Sequence, residues 1–177
     1  MNKLVKGVIR MNKFIGNFNF DFEINYNDFK FSEHTAKDNK DNEFDLKQIE
    51  LKMPTSLFKS YKEDYPDYLT EYLKKFDMEV ISSWLAIQKP GYMSPPHIDE
   101  YLFLKEHGVR EVKEPGRILV FMNDWSFGQV FMVGDEVITN WKKGDAYRMD
   151  GRDLHMTSNG SYEDKLTLIM TGFLKEK

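Results

Sequence analysis

An α+β chain ending in an all-β core is what this sequence predicts, from three observations. The aromatic share is 15%, with three Trp, nine Tyr and fourteen Phe, a composition suited to a sheet-rich interior. Beyond Met78 the chain becomes a series of short apolar runs separated by turn residues, the spacing of a β-sandwich or barrel. Ahead of it lie one alternating stretch and two stretches of helical period. The expected organisation is one domain over 1–177, with a strand and helix layer over 1–80 and the β core over 81–174.

Taken in order, FNFDFEINY (18–26) alternates apolar and polar residues and predicts a half-buried strand, with Phe18, Phe20, Phe22, Ile24 and Tyr26 on one face. Residues 32–45 have almost no apolar side chains and read as a long solvated loop, a candidate lid. From Thr55 or Ser56 as N-cap, Leu57, Phe58 and Tyr61 suggest a helix that Pro66 ends. A second short helix over 67–76 brings Leu69, Tyr72, Leu73 and Phe76 to one side, and both helices are expected to cover a sheet. The strands then follow as VISSWLAI, GRILVFMN, GQVFMVG, DEVITNW, GDAYRM and KLTLIMTGFL.

Charge and composition narrow the function classes. A net charge of −4 gives no global positive field and argues against nucleic acid as a partner. With no cysteine, any metal must be held by His, Asp or Glu. No run approaches a signal peptide or a membrane span, so a cytoplasmic location without membrane partners is expected.

Four histidines are present. His34 and His107 lie among polar and charged residues and read as solvated surface. His97 precedes Asp99 by two residues, and on an extended chain such residues point to one side. His155 follows after several strands have had room to turn back. Two imidazoles and one carboxylate on one face leave three positions open on an octahedral ion, which suits non-heme Fe(II) chemistry, although zinc uses the same ligand set. His97, Asp99 and His155 are therefore the candidate metal-binding and catalytic residues.

Lys165 opens the last strand, with Thr167 on the same strand face and Leu166, Leu168 and Met170 on the other. An ammonium inside an apolar barrel calls for a neutralising anion, such as a carboxylate cosubstrate. The alternative is that Lys165 sits at the rim and reaches water. Gln88 is a further candidate polar residue of the pocket, and Trp125 and Trp141 are candidates for the cleft or the core.

Together, PGYMSPPHID, GRILVFMNDWSFGQVFMV, NWKKGDAYRMDGRDLH and KLTL resemble the 2-oxoglutarate and Fe(II)-dependent dioxygenases, in particular their prolyl-hydroxylase-like branch. The resemblance covers about residues 84–173. It implies a double-stranded β-helix core (jelly-roll, cupin-like), with His97, Asp99 and His155 holding Fe(II). Lys165 and Thr167 would bind the distal carboxylate of 2-oxoglutarate. The implied activity is hydroxylation of a C–H bond with release of succinate and CO2, with ascorbate as a supporting reductant. The implied substrate is a protein or peptide side chain, or a small molecule resembling an amino acid. Asp99 favours hydroxylation over halogenation, since the related halogenases carry a small residue in its place. Two positions depart from the family pattern: Phe127-Gly128 stands for its frequent Gly-Gly pair, and Phe121 for a common tyrosine. A Zn or Mn cupin-like metalloprotein that does not use 2-oxoglutarate, or a non-catalytic metal-binding barrel, are the competing readings.

Overall fold

Alternating burial along the later strands builds two sheets that share an interior. The computed structural model of the chain describes residues 13–25, 28, 32–34, 55–61, 66–99, 116–150 and 153–174. Among these the strands are β1 (Lys13–Asn17), β2 (Ser32–His34), β3 (Thr55–Tyr61), β4 (Met78–Gln88), β5 (Met93–His97), β6 (Gly116–Phe121), β7 (Gln129–Val133), β8 (Glu136–Ile138), β9 (Asp145–Met149), β10 (His155–Asn159) and β11 (Lys165–Leu174). Helix α1 spans Asp67–Leu73. The seven-stranded sheet runs β1-β9-β6-β11-β4-β3-β2 and the four-stranded sheet β5-β10-β7-β8, with antiparallel pairing throughout. This is the jelly-roll, cupin-like core expected from the sequence.

The period of two along β11 separates the two cores. Leu168 and Met170 face outward with Leu85, Ile118, Val120 and Ala146, and α1 covers them through Leu69, Tyr72 and Leu73. Between the sheets, Leu119, Phe121 and Met149 from one side meet Phe131, Val133 and Ile138 from the other, with Trp141 among them. Burying side chains of this size is worth about 1.5–3 kcal/mol each. The interior is therefore a packed aromatic core, and the polar groups inside it need an explanation.

Three expectations are corrected. The segment from Thr55 is not a helix but strand β3, paired with β4 from Ser56↔Ile87 to Tyr61↔Ser82. Leu57, Phe58 and Tyr61 fit either period, and the expected helix between Thr55 and Pro66 falls below the length at which an isolated helix is stable in water, roughly 12–15 residues. The edge of an eleven-residue strand offers a full ladder instead. Pro66 then precedes a helix rather than ending one: its carbonyl accepts from the Leu69 and Thr70 amides at 2.9 and 3.0 Å. Finally, residues 18–25 alternate between half-buried and exposed as expected but join no sheet. Phe20 and Phe22 pack on Tyr72 of α1 edge-on at 5.2 and 5.5 Å, so side-chain packing holds this segment in place of a ladder.

The second predicted helix is found as α1, shorter than expected, with Leu69, Tyr72, Leu73 and Phe76 all buried. Of the polar stretch 32–45, residues 32–34 form β2; the rest, like Tyr26 and His107, lies outside the described residues. No helix among the described residues is long and apolar enough to cross a membrane.

Candidate metal centre

Strand β5 reads MSPPH, and its two prolines decide how His97 is presented. Pro95 and Pro96 lack amide hydrogens, so they suit only a strand edge or a bulge. Among the described residues β5 is the edge strand of the four-stranded sheet, and its pairing with β10 shifts register between His155↔His97 and Thr157↔Ser94. The Pro95 carbonyl lies 2.7 Å from His97 Nδ1. His155 opens β10, and its Nδ1 lies 2.8 Å from the Asp153 carbonyl. Both carbonyls can only accept, so each Nδ1 carries a proton and Nε2 is the nitrogen each ring has to offer a metal.

His97, Asp99 and His155 each offer a ligand atom, and these atoms lie within 4.8 Å of one another. His155 Nε2 is 3.2 Å from one Asp99 oxygen, and His97 Nε2 is 3.9 Å from the other. The imidazole centroids are 4.3 Å apart. Burial holds the His155 pKa down to about 4, so its ring is neutral at physiological pH. Two imidazole nitrogens and a carboxylate oxygen at this spacing could hold a divalent first-row metal, which is the donor set expected from the sequence. His34, by contrast, ends β2 in the other sheet.

The Asp99 carboxylate has a partner that the sequence did not reveal. Arg117 on β6 is 6% exposed, and its Nη1 pairs with Asp99 Oδ2. Its Nε donates to Thr171 Oγ1 at 3.3 Å, and its guanidinium lies 4.8 Å from the Trp84 ring centroid. Burial lowers its pKa to about 9, against the opposing charge of Asp150, so it remains protonated at neutral pH. With one oxygen engaged by Arg117, Asp99 has the other to offer a metal. An arginine beside the turn-like Gly116 gave no signal separating it from a surface cation.

Lys165 is 1% exposed, which rules out the rim position. Its side chain starts on the seven-stranded sheet and crosses the interior, donating to the Val130 carbonyl at 3.0 Å and to Thr157 Oγ1. The Nζ lies 5.3, 5.7 and 5.9 Å from the rings of Trp141, Phe131 and Phe121. No carboxylate among the described residues pairs with it, and burial alone lowers its pKa to about 7. Thr157 stands two residues beyond His155 on the same strand face, roughly 6.5–7 Å along the chain. The ammonium is thereby joined to the row that carries the candidate ligand His155.

Thr167, also buried, occupies the same interior row as Lys165, between Ala86 and Phe121 on the flanking strands. Gln88 is buried as well: its Oε1 accepts from Thr157 Oγ1 at 2.8 Å, and its carbonyl accepts from Asn159 Nδ2 at 2.6 Å. Asn159, Ser161 and Gln129 continue this network; Gln129 Nε2 donates to Ser161 Oγ at 3.1 Å. At this end Gly128 is required: its φ is +98°, and a Cβ there would lie 2.7 Å from the Gly160 carbonyl oxygen. Trp125 is half-buried and donates to the Gln129 carbonyl, whereas Trp141 is inside the core.

No protein-family model matches the chain, and no curated protein matches it. Among solved structures, the chain is similar to a predicted oxalate decarboxylase from Thermotoga maritima, at 11% identity and a TM-score of 0.50, over 86% of this chain and 100% of that one. A cupin 2 conserved barrel domain protein from Rhodopseudomonas palustris aligns at 10% identity and a TM-score of 0.42, over 71% and 65% of the two chains. The Thermotoga likeness concerns the fold and agrees with the sheet topology. The Thermotoga likeness and the sheet topology together give a jelly-roll fold, and that fold bears a His-Asp-His group that could bind a metal.

Proposed function

We propose that the chain is a non-heme Fe(II) and 2-oxoglutarate-dependent dioxygenase. It would hydroxylate a C–H bond of a peptidyl or amino-acid-like substrate, with release of succinate and CO2. The observation that carries this reading beyond a metal-binding cupin is Lys165, a buried ammonium without a carboxylate partner among the described residues, hydrogen-bonded to Thr157 one strand repeat from His155. A 2-oxo diacid has groups suited to both places: a 2-oxo carboxylate end for a metal and a second carboxylate for an ammonium.

Bound Fe(II) would activate dioxygen, the oxidant, which is reduced by two electrons from 2-oxoglutarate as it becomes succinate and CO2 and by two from the substrate C–H bond. The chain's own residues perform the remaining tasks. The Pro95 and Asp153 carbonyls hold both Nε2 lone pairs toward the metal position, and Arg117 holds one Asp99 oxygen. Lys165 and Thr167 would receive the distal carboxylate, and the apolar walls of Phe121, Phe131 and Trp141 keep water from that end.

A Zn or Mn cupin that takes no 2-oxoglutarate is the second reading, and one observation favours it. The Lys165 pKa of about 7 allows a neutral amine, which is satisfied by Val130 and Thr157 without an anion. Anaerobic Fe(II) and 2-oxoglutarate separate the two. The dioxygenase reading expects a weak visible charge-transfer band, absent in His97→Ala and His155→Ala, and succinate formation in air. A chain that binds Zn(II) or Mn(II) yet gives neither band nor succinate belongs to the second reading.

A further inference from the structure

We infer that Trp141 is a further donor to the carboxylate held by Lys165 and Thr167, its indole N–H binding one oxygen while the ammonium binds the other. The inference rests on the proposed role of Lys165 and adds a residue to it. Trp141 is 1% exposed, and its Nε1 has no hydrogen-bond partner among the described residues. Buried donors are nearly always paired, because an indole N–H withdrawn from water loses a hydrogen bond that nothing replaces. Trp125 shows the ordinary solution, donating its indole N–H to the Gln129 carbonyl at 2.8 Å.

The surroundings of Trp141 say what would complete it. Its ring stacks on Phe121 at 3.9 Å with an interplanar angle of 7°, and the Lys165 Nζ lies 5.3 Å from its centroid. An ammonium has three N–H groups, and Val130 and Thr157 account for two of those on Lys165. One cluster thus holds a cation lacking an anion and a donor lacking an acceptor. A carboxylate, with one negative charge and two oxygens, supplies both needs. A neutral or cationic ligand would leave the ammonium uncompensated.

The test follows the indole signals of the full-length chain, labelled with ¹⁵N-tryptophan and loaded with Zn(II), as 2-oxoglutarate is added. Trp141→Phe assigns the signal; should that variant not fold, Trp84→Phe and Trp125→Phe assign it by elimination. The Trp141 N–H should move downfield on saturation while that of Trp125 stays in place. By calorimetry Trp141→Phe should weaken 2-oxoglutarate binding about tenfold or more, with Zn(II) affinity unchanged. Binding in the parent with an unmoved Trp141 signal would overturn this inference and leave the Lys165 assignment standing. A Zn(II)-loaded parent that binds no 2-oxoglutarate would overturn both.

Discussion

Arg117 and Lys165 both bury a cation in the interior between the sheets, yet among the described residues carboxylates compensate only the first. Arg117 pairs with Asp99 and feels the charge of Asp150, and it keeps its proton at neutral pH despite burial. Lys165 has a carbonyl and a hydroxyl, and burial brings its pKa down to about 7. A compensated cation reads as part of the scaffold that aims Asp99. An uncompensated one reads as half of a binding site, because a bare buried charge costs stability that a structural role would not require.

The largest expected effect breaks this comparison at Lys165. Lys165→Met should weaken 2-oxoglutarate binding by roughly 100-fold or more, since a charge-assisted contact worth about 1.5–3 kcal/mol is lost together with charge neutralisation. The same variant should stabilise the ligand-free chain by about 1–2 kcal/mol, as an isosteric apolar residue replaces an uncompensated charge. Calorimetry and urea unfolding report the two effects separately.

Arg117→Met should do the opposite to stability. It leaves Asp99 without its counter-charge and should cost about 2 kcal/mol in urea unfolding, less than the ~3–5 of fully buried pairs because Asp99 is 24% exposed. Two apolar substitutions of buried cations that shifted stability in the same direction would remove the distinction drawn between them.

Proton linkage sharpens the comparison further. Lys165 in the folded, ligand-free chain titrates near pH 7, below the ordinary lysine range of the unfolded chain. Between those limits the unfolded state binds more protons, so stability rises with pH and is lost again as pH falls toward 7. The slope from this one group reaches about 1.4 kcal/mol per pH unit. Denaturant midpoints from pH 7 to 9 should show the slope in the parent and its loss in Lys165→Met. Saturating 2-oxoglutarate, which holds the proton on Lys165, should flatten it, and 2-oxoglutarate affinity should decline as pH rises through about 7.

The smallest effect concerns the bridge between the two ends. Thr157→Val removes the hydroxyl that joins Lys165 to Gln88 and should weaken 2-oxoglutarate binding only a few-fold, the scale of one neutral hydrogen bond of about 0.5–1.5 kcal/mol. Metal affinity measured in parallel should not change.

Much of this arrangement was legible beforehand where one physical signal dominated. The period of two in KLTLIMTGFL placed Lys165 and Thr167 on one face and Leu166, Leu168 and Met170 on the other, and the structure keeps that division. His97, Asp99 and His155 are residue types with metal chemistry, and the strand pairing His155↔His97 brings them together. What sequence could not supply was long-range pairing. Thr55–Tyr61 is a strand because β4 has an open edge, and no local pattern records that edge. Arg117 is likewise indistinguishable from a surface cation until Asp99 and Thr171 are placed around it. The orphan N–H of Trp141 is visible only when its surroundings are known.

The central claim is that the metal group and Lys165 serve one ligand. Calorimetric titration of 2-oxoglutarate into the Mn(II)-loaded parent and the Mn(II)-loaded Lys165→Met variant tests it most directly. The account predicts saturable one-site binding in the parent, none detectable in the variant, and equal Mn(II) affinity in both. Equal 2-oxoglutarate binding by the two chains, or none by the parent, would contradict it.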